Sequence, residues 1–335
     1  MARFAVLALV LGCHHDSTPT TPVAKPPSKI ALPGGNADGV GMDFLMWNPR
    51  THTVWVPAGN SGLVDVIDTK THALTSIQGF PTREVERNGH KRTVGPSAVA
   101  LGPAGTVYIG SRGDSSICAV DEKALTKGTC VTLDSSPDGV VYVAPTNEVW
   151  VTTPRDKSIR MLDATTLQQK ARVEFAGNPE GYAVDATRAR FYTNLEDKDE
   201  TLAITLDKHE TVATWHPQCG SEGPHGVRLS EAEGHLVIGC SAEVHVLDVA
   251  HDGALLGKIA VGDGVDDIDL VGSTVYAAGG DAASLAILAI DPAGALTSVA
   301  QVPTGKGARN AVAADNGEIY VSDSKGAAII VVTKP

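Results

Sequence analysis

Residues 53–68 read Thr53-Val54-Trp55-Val56-Pro57-Ala58-Gly59-Asn60-Ser61-Gly62-Leu63-Val64-Asp65-Val66-Ile67-Asp68, two β-branched runs parted by a small polar turn, the second closing on aspartate. Such residues fit a pleated, buried surface, and the Gly/Asn/Ser spacer between them reads as the turn of a hairpin. The first run has six further copies: Thr106-Val107-Tyr108-Ile109, Glu148-Val149-Trp150-Val151, Arg190-Phe191-Tyr192-Thr193, His235-Leu236-Val237-Ile238, Thr274-Val275-Tyr276-Ala277 and Glu318-Ile319-Tyr320-Val321. The second returns in runs ending at Asp121, Asp163, Asp207, Asp248 and Asp291. From Asp68 onward these aspartates lie 53, 42, 44, 41 and 43 residues apart, the length of a four-stranded propeller blade. A carboxylate at the mouth of a tight turn accepts hydrogen bonds from the turn's own amides, so the six aspartates read as turn caps.

The repeat predicts an all-β fold: a seven-bladed β-propeller of four-stranded antiparallel blades. The last unit stops after Ile329-Ile330-Val331-Val332, leaving an unpaired sheet edge. Lys29-Ile30-Ala31-Leu32-Pro33-Gly34 resembles fourth strands such as Gly257-Lys258-Ile259-Ala260-Val261-Gly262, and is expected to complete the last blade. One domain over residues 29–335 follows. With 27 Lys+Arg against 39 Asp+Glu, the net charge of -12 argues against a duplex nucleic-acid surface.

The repeats resemble those of the YVTN-type, YncE-like β-propellers. Phe191-Tyr192-Thr193-Asn194 is nearest to the naming tetrapeptide, and Leu63-Val64-Asp65-Val66-Ile67-Asp68-Thr69 to the third strand. The resemblance covers nearly all of the chain after its N-terminal segment and implies the fold more than an activity. It also raises single-stranded nucleic acid as a ligand, against which stand the 4% aromatic content and the acidic charge.

Met1-Ala2-Arg3-Phe4-Ala5-Val6-Leu7-Ala8-Leu9-Val10-Leu11-Gly12-Cys13 carries one positive charge and an apolar run too short to span a bilayer. Val10-Leu11-Gly12-Cys13 resembles a bacterial lipobox, so residues 1–12 read as a lipoprotein-type signal peptide and Cys13 as the acylated first residue. Residues 13–28 then form a Pro/Thr-rich tether. By resemblance to lipoproteins of diderm bacteria, His14 after the lipidated cysteine favours the outer membrane. The four other cysteines suit two disulfides in an oxidising envelope, with reduced thiols as the alternative. Strand register pairs Cys118 with Cys130 across one turn and Cys219 with Cys240 between neighbouring connections.

Polar residues recur where each blade's first strand begins: Asp43, Ser97, Asp138, Glu180, His225, Asp266 with Asp267, and Arg309 with Asn310. Equal offsets place them in one ring at a channel mouth. There they either hydrate the channel or hold a divalent cation such as calcium, with Glu180, Asp138, His225 and Asp267 as candidate ligands. On the same face, residues 81–95 form an insertion around Asn88-Gly89, read as a projecting hairpin: a lid, a partner contact or a tolerated excursion.

No nucleophile elbow, phosphate loop, dinucleotide fingerprint or haem motif occurs, so no catalytic residue is assigned. The expected function is a lipid-anchored, extracytoplasmic scaffold, monomeric and non-enzymatic, that binds an envelope protein, peptide or glycan. The alternative is a metal-dependent lactonase or esterase resembling the gluconolactonase propellers, suggested by Asn178-Pro179-Glu180-Gly181 with Asp138, Asp266, Asp267 and Asn310.

Overall fold

The computed structural model describes residues 26–334 apart from Asn88. The segment expected to be a signal peptide, Cys13 and most of the expected tether therefore lie outside the described residues. Seven four-stranded antiparallel sheets follow one another along the chain, the first built from Met46–Asn48, Thr53–Ala58, Leu63–Asp68 and Leu74–Ile77. In the seventh, Ala311–Ala313, Glu318–Asp323 and Ala328–Thr333 are joined by the N-terminal strand Ser28–Ala31, which pairs antiparallel with the chain's last strand, Lys29 opposite Ile330. The ring is a seven-bladed propeller closed by its own N-terminus.

The apolar residues sort into seven clusters, one at each junction between neighbouring blades. Alternation along a strand explains how one strand feeds two of them. In the second strand of blade 1, Val54 and Val56 pack toward blade 7, while Trp55 between them packs toward blade 2. Both faces of such strands are buried, which is why the sequence shows continuous β-branched runs there. Outermost strands have one covered face at most, and Gln169–Glu174 alternates exposed and half-buried residues accordingly.

The aspartates that close the third strands act in the turns. Asp68 accepts hydrogen bonds from the amides of Lys70 and Thr71, and Asp163 does the same for Thr165 and Thr166. Asp207 departs from the pattern, accepting from the adjacent Lys208 amide. Both disulfides are formed. Cys118 and Cys130 face each other in strand register with Cα atoms 4.0 Å apart, and Cys219 and Cys240 are 5.3 Å apart. With partners 12 and 21 positions apart in sequence, each link restrains the unfolded chain by about 3 kcal/mol in the loop-entropy account.

Asp65 is the costly residue of this core. It is fully buried in the third strand of blade 1; Ser76 donates to one carboxylate oxygen at 2.5 Å, and the other has no partner. Burial pushes its pKa up to about 6. A carboxyl raised on folding stabilises fully below the unfolded pKa, and that contribution is lost as pH rises through the folded value. The Asp65 contribution to the melting temperature should therefore fall between about pH 4 and pH 6, and Asp65→Asn should raise it by a few degrees at pH 8; a variant that melts below wild type at pH 8 contradicts this account. Deleting residues 28–32 should expose the edge of Ala328–Thr333 and abolish monodispersity in size-exclusion chromatography.

Candidate functional site at the channel mouth

The innermost strands of blades 4, 5 and 6 break register where they reach the channel. Against one residue of the neighbouring strand stand two: Glu180 and Gly181, His225 and Gly226, Asp266 and Asp267. A bulge of this kind re-aims a side chain without ending the strand. Glycine in two of the three reflects close blade contact. A Cβ at Gly181 would lie 2.1 Å from the His225 carbonyl oxygen, and one at Gly226 would lie 2.5 Å from an Asp267 oxygen. The bulges bring Glu180, His225 and Asp266 together, one donor atom from each lying within 4.8 Å of the others.

Arginines organise the remaining carboxylates. Arg112, in the connection after the second strand of blade 2, donates to Asp43 at 2.6 Å and also to Asp138. Arg309 reaches Asp266 at 3.1 Å and Asp43 at 3.6 Å. Arg228 grips Asp267 through two nitrogens, at 2.8 and 3.1 Å. Asn310 donates to the Asp43 main-chain carbonyl at 2.8 Å, and its own side-chain oxygen is buried without a partner. Ser97 is buried, its hydroxyl 3.5 Å from the Gly110 carbonyl. Of the four candidate metal ligands read from sequence, Asp138 is thus engaged by Arg112 and Asp267 by Arg228, while Glu180 and His225 converge with Asp266.

The balance of charge is uneven. Burial pushes Asp43 up, but Arg112 and Arg309 outweigh it and hold that carboxylate below its usual range. Burial dominates at Asp266, raised to about 7 despite Arg309, and Asp138 is raised in the same way. Glu180 is pushed well above the usual carboxylate range by burial, by a hydrogen bond with Glu196 and by the neighbouring Asp138 and Asp266. Burial also lowers His225, which favours the neutral imidazole; its Nδ1 is sealed from solvent without a hydrogen bond, the nearest carboxylate being Glu196 at 4.0 Å. Blades 4 to 6 therefore present a carboxyl-rich wall and an unsatisfied imidazole nitrogen. Arg112 follows the second strand of blade 2, Arg309 precedes the first strand of blade 7, and Arg228 lies in the first strand of blade 5.

Beside the arginines opens a cleft of about 220 Å³, lined among others by Asn36, Asp38, Asn60, Arg92, Arg112 and Arg309. One wall is the insertion between blades 1 and 2, a separate two-stranded sheet of Arg83–Arg87 and His90–Val94. Arg112, Arg228 and Glu196 were not singled out from the sequence. Arg112 and Glu196 each directly follow the second strand of their blade, a repeat position held elsewhere by Gly59, Pro154, Ser241, Gly280 and Ser324. Charge at that one position in only two blades is a signal available from the sequence.

No protein-family model and no curated protein sequence matches this chain. Solved structures do. A chain of the mitotic checkpoint complex is 12% identical with a TM-score of 0.73, covering 99% of each chain. The hydrazine synthase of Kuenenia stuttgartiensis is 14% identical with a TM-score of 0.72, over 95% of this chain and 99% of that one. The β-propeller domain of Cps50 (Swd1) from Myceliophteria thermophila is 11% identical with a TM-score of 0.69, over 92% and 99%. Identities this low carry the fold alone. The class is a seven-bladed β-propeller with an ion-paired channel mouth.

Removing Arg112 should leave Asp43 and Asp138 as buried, uncompensated carboxylates. Arg112→Met is expected to destabilise by about 3 kcal/mol at pH 8, and by less at pH 4, where the carboxyls take up protons. Equal losses at both pH values in chemical denaturation would refute the pairing.

Proposed function

We propose that this protein is an extracytoplasmic, lipid-anchored binding scaffold whose working surface is the channel mouth and the loops around it. The carrying observation is the channel mouth itself: three strand bulges project Glu180, His225 and Asp266 into one place while two arginines hold the opposite side. A rigid ring that spends buried charge at one end suits recognition, because the groups are held in place before a ligand arrives. Two disulfides fit an oxidising, non-cytoplasmic compartment. Among the described residues no helix is long and apolar enough to cross a membrane. The lipobox-like Val10-Leu11-Gly12-Cys13 and the likeness of the repeats to YncE-like propellers support an anchored envelope protein, with the outer membrane as its expected address.

The partner in this reading is an envelope protein, peptide or glycan. A cation belongs to the same proposal. Two carboxyls and a neutral imidazole suit a first-row divalent metal better than calcium, which prefers an all-oxygen shell. Metal must displace protons from Glu180 and Asp266, so uptake should rise from pH 6 to pH 8. Titration calorimetry with manganese, zinc and calcium on wild type, Glu180→Gln and His225→Ala tests this part. Uptake that ignores both substitutions removes the metal. Pull-down from envelope extract with the same variants tests the scaffold, and recovery of the same partners by wild type and both variants places binding elsewhere.

A further inference from the structure

The hairpin of Arg83–Arg87 and His90–Val94 joins no blade. In its register Arg83 faces Val94, Glu84 faces Thr93, Val85 faces Arg92, and Glu86 faces Lys91. Side chains alternate between faces of a strand, and cross-strand partners share a face. Arg83, Val85, His90 and Arg92 therefore lie on one side, and Glu84, Glu86, Lys91 and Thr93 on the other. On the glutamate side Lys91 pairs with Glu84 at 2.7 Å. The arginine side has no acidic residue of its own. Arg83 and His90 are exposed and make no hydrogen bond or ion pair among the described residues, whereas Arg92 is already engaged within the fold.

Residues 81–95 hold four Lys or Arg against two Glu in a chain whose net charge is -12. A cationic surplus thus sits on the one element that stands apart from the blades, beside the cleft lined by Arg92, Arg112 and Arg309. A two-stranded hairpin buries too little to be selected for its own stability. Its bases are also placed against the sign of the whole protein, which would otherwise repel an acidic partner.

From this placement we infer that the hairpin docks an acidic segment of a partner protein. Arg83 receives its carboxylates beside Val85, and Arg92, already engaged within the fold, adds positive field on the same face. The inference rests on the loop-bearing end being the binding face, and it names the partner's chemistry there.

The test is fluorescence anisotropy of a labelled oligo-glutamate peptide with the full-length protein, at low and at physiological salt. Three variants run beside wild type: Arg83→Glu/Arg92→Glu, Arg83→Lys, and the channel variant Glu180→Gln. Arg83→Glu alone accompanies them, in case reversal at Arg92 disturbs the fold; the melting temperature reports that disturbance. The expected result is salt-sensitive binding, weakened roughly tenfold or more by charge reversal and largely kept in Arg83→Lys. Binding lost in the channel variant but kept in the hairpin variants overturns the docking surface while sparing the channel reading. Equal binding by all proteins, or none by wild type, overturns the docking surface as well. Sedimentation showing wild-type self-association that charge reversal abolishes, or tighter capture by phosphatidylglycerol vesicles than by the peptide, overturns the choice of a protein partner in favour of a second copy or a lipid surface.

Discussion

The junction between blades 7 and 1 is the constraint on which the rest of the ring depends. A propeller has no central core. Each blade is a single sheet, and buries its two faces only because a neighbour lies against each one. Six of the seven junctions join blades made from consecutive chain, but the seventh must join residues from opposite ends of the sequence. Leu32, Val40, Met42, Leu45, Val54 and Val56 meet Val312, Tyr320, Ile329 and Val331 there, and the Ser28–Ala31 ladder locks them. Without that closure two faces and two strand edges would be open to water at once.

Closure also fixes the channel. Once the ring is complete, the innermost strands are crowded, and crowding explains the glycines that follow Glu180 and His225. A strand that must pass its neighbour so closely cannot keep regular pairing, so it bulges; the bulge turns one residue of each pair into the channel. Burial then determines the chemistry of those residues. Two arginines hold Asp43 below the usual carboxylate range, whereas burial outweighs the arginine beside Asp138, Asp266 and Asp267, and burial with a neighbouring carboxyl pushes Glu180 well above that range. The uneven shifts at the mouth follow from the balance of burial against arginine at each carboxyl.

Much of this was legible in the sequence because it depends on period. Blade count, ring closure, both disulfides and the projecting hairpin follow from counting residues between like motifs. The finer arrangement depends on contacts between blades that no period records. Asp266 and Asp267 are adjacent in sequence; only the bulge decides that the first turns toward Glu180 and the second toward Arg228. Likewise Asp65, Cys118, Arg160 and His245 occupy the same position of their third strands, and all are buried. The environments differ completely: a lone serine hydroxyl, a disulfide, a network with Asp134 and Asp156, and a pair of acceptors from Pro217 and Glu243. A repeat specifies where a side chain sits and leaves open what surrounds it.

That separation has a functional consequence. The stabilising apolar contacts lie between blades, whereas the charged groups sit at one end of the channel and on a hairpin that contributes no residue to those clusters except through its base. Changes in the hairpin therefore cost the ring little, and changes at Arg112 or Glu180 act mainly through the balance of a few neighbouring charges. Such a ring can vary its surface charges without renegotiating how it folds. The same independence accounts for a fold shared with structures at 11–14% identity: what the ring must conserve is the alternation that feeds two junctions from each strand, and residues as different as Val, Ile, Tyr and Trp satisfy it equally well.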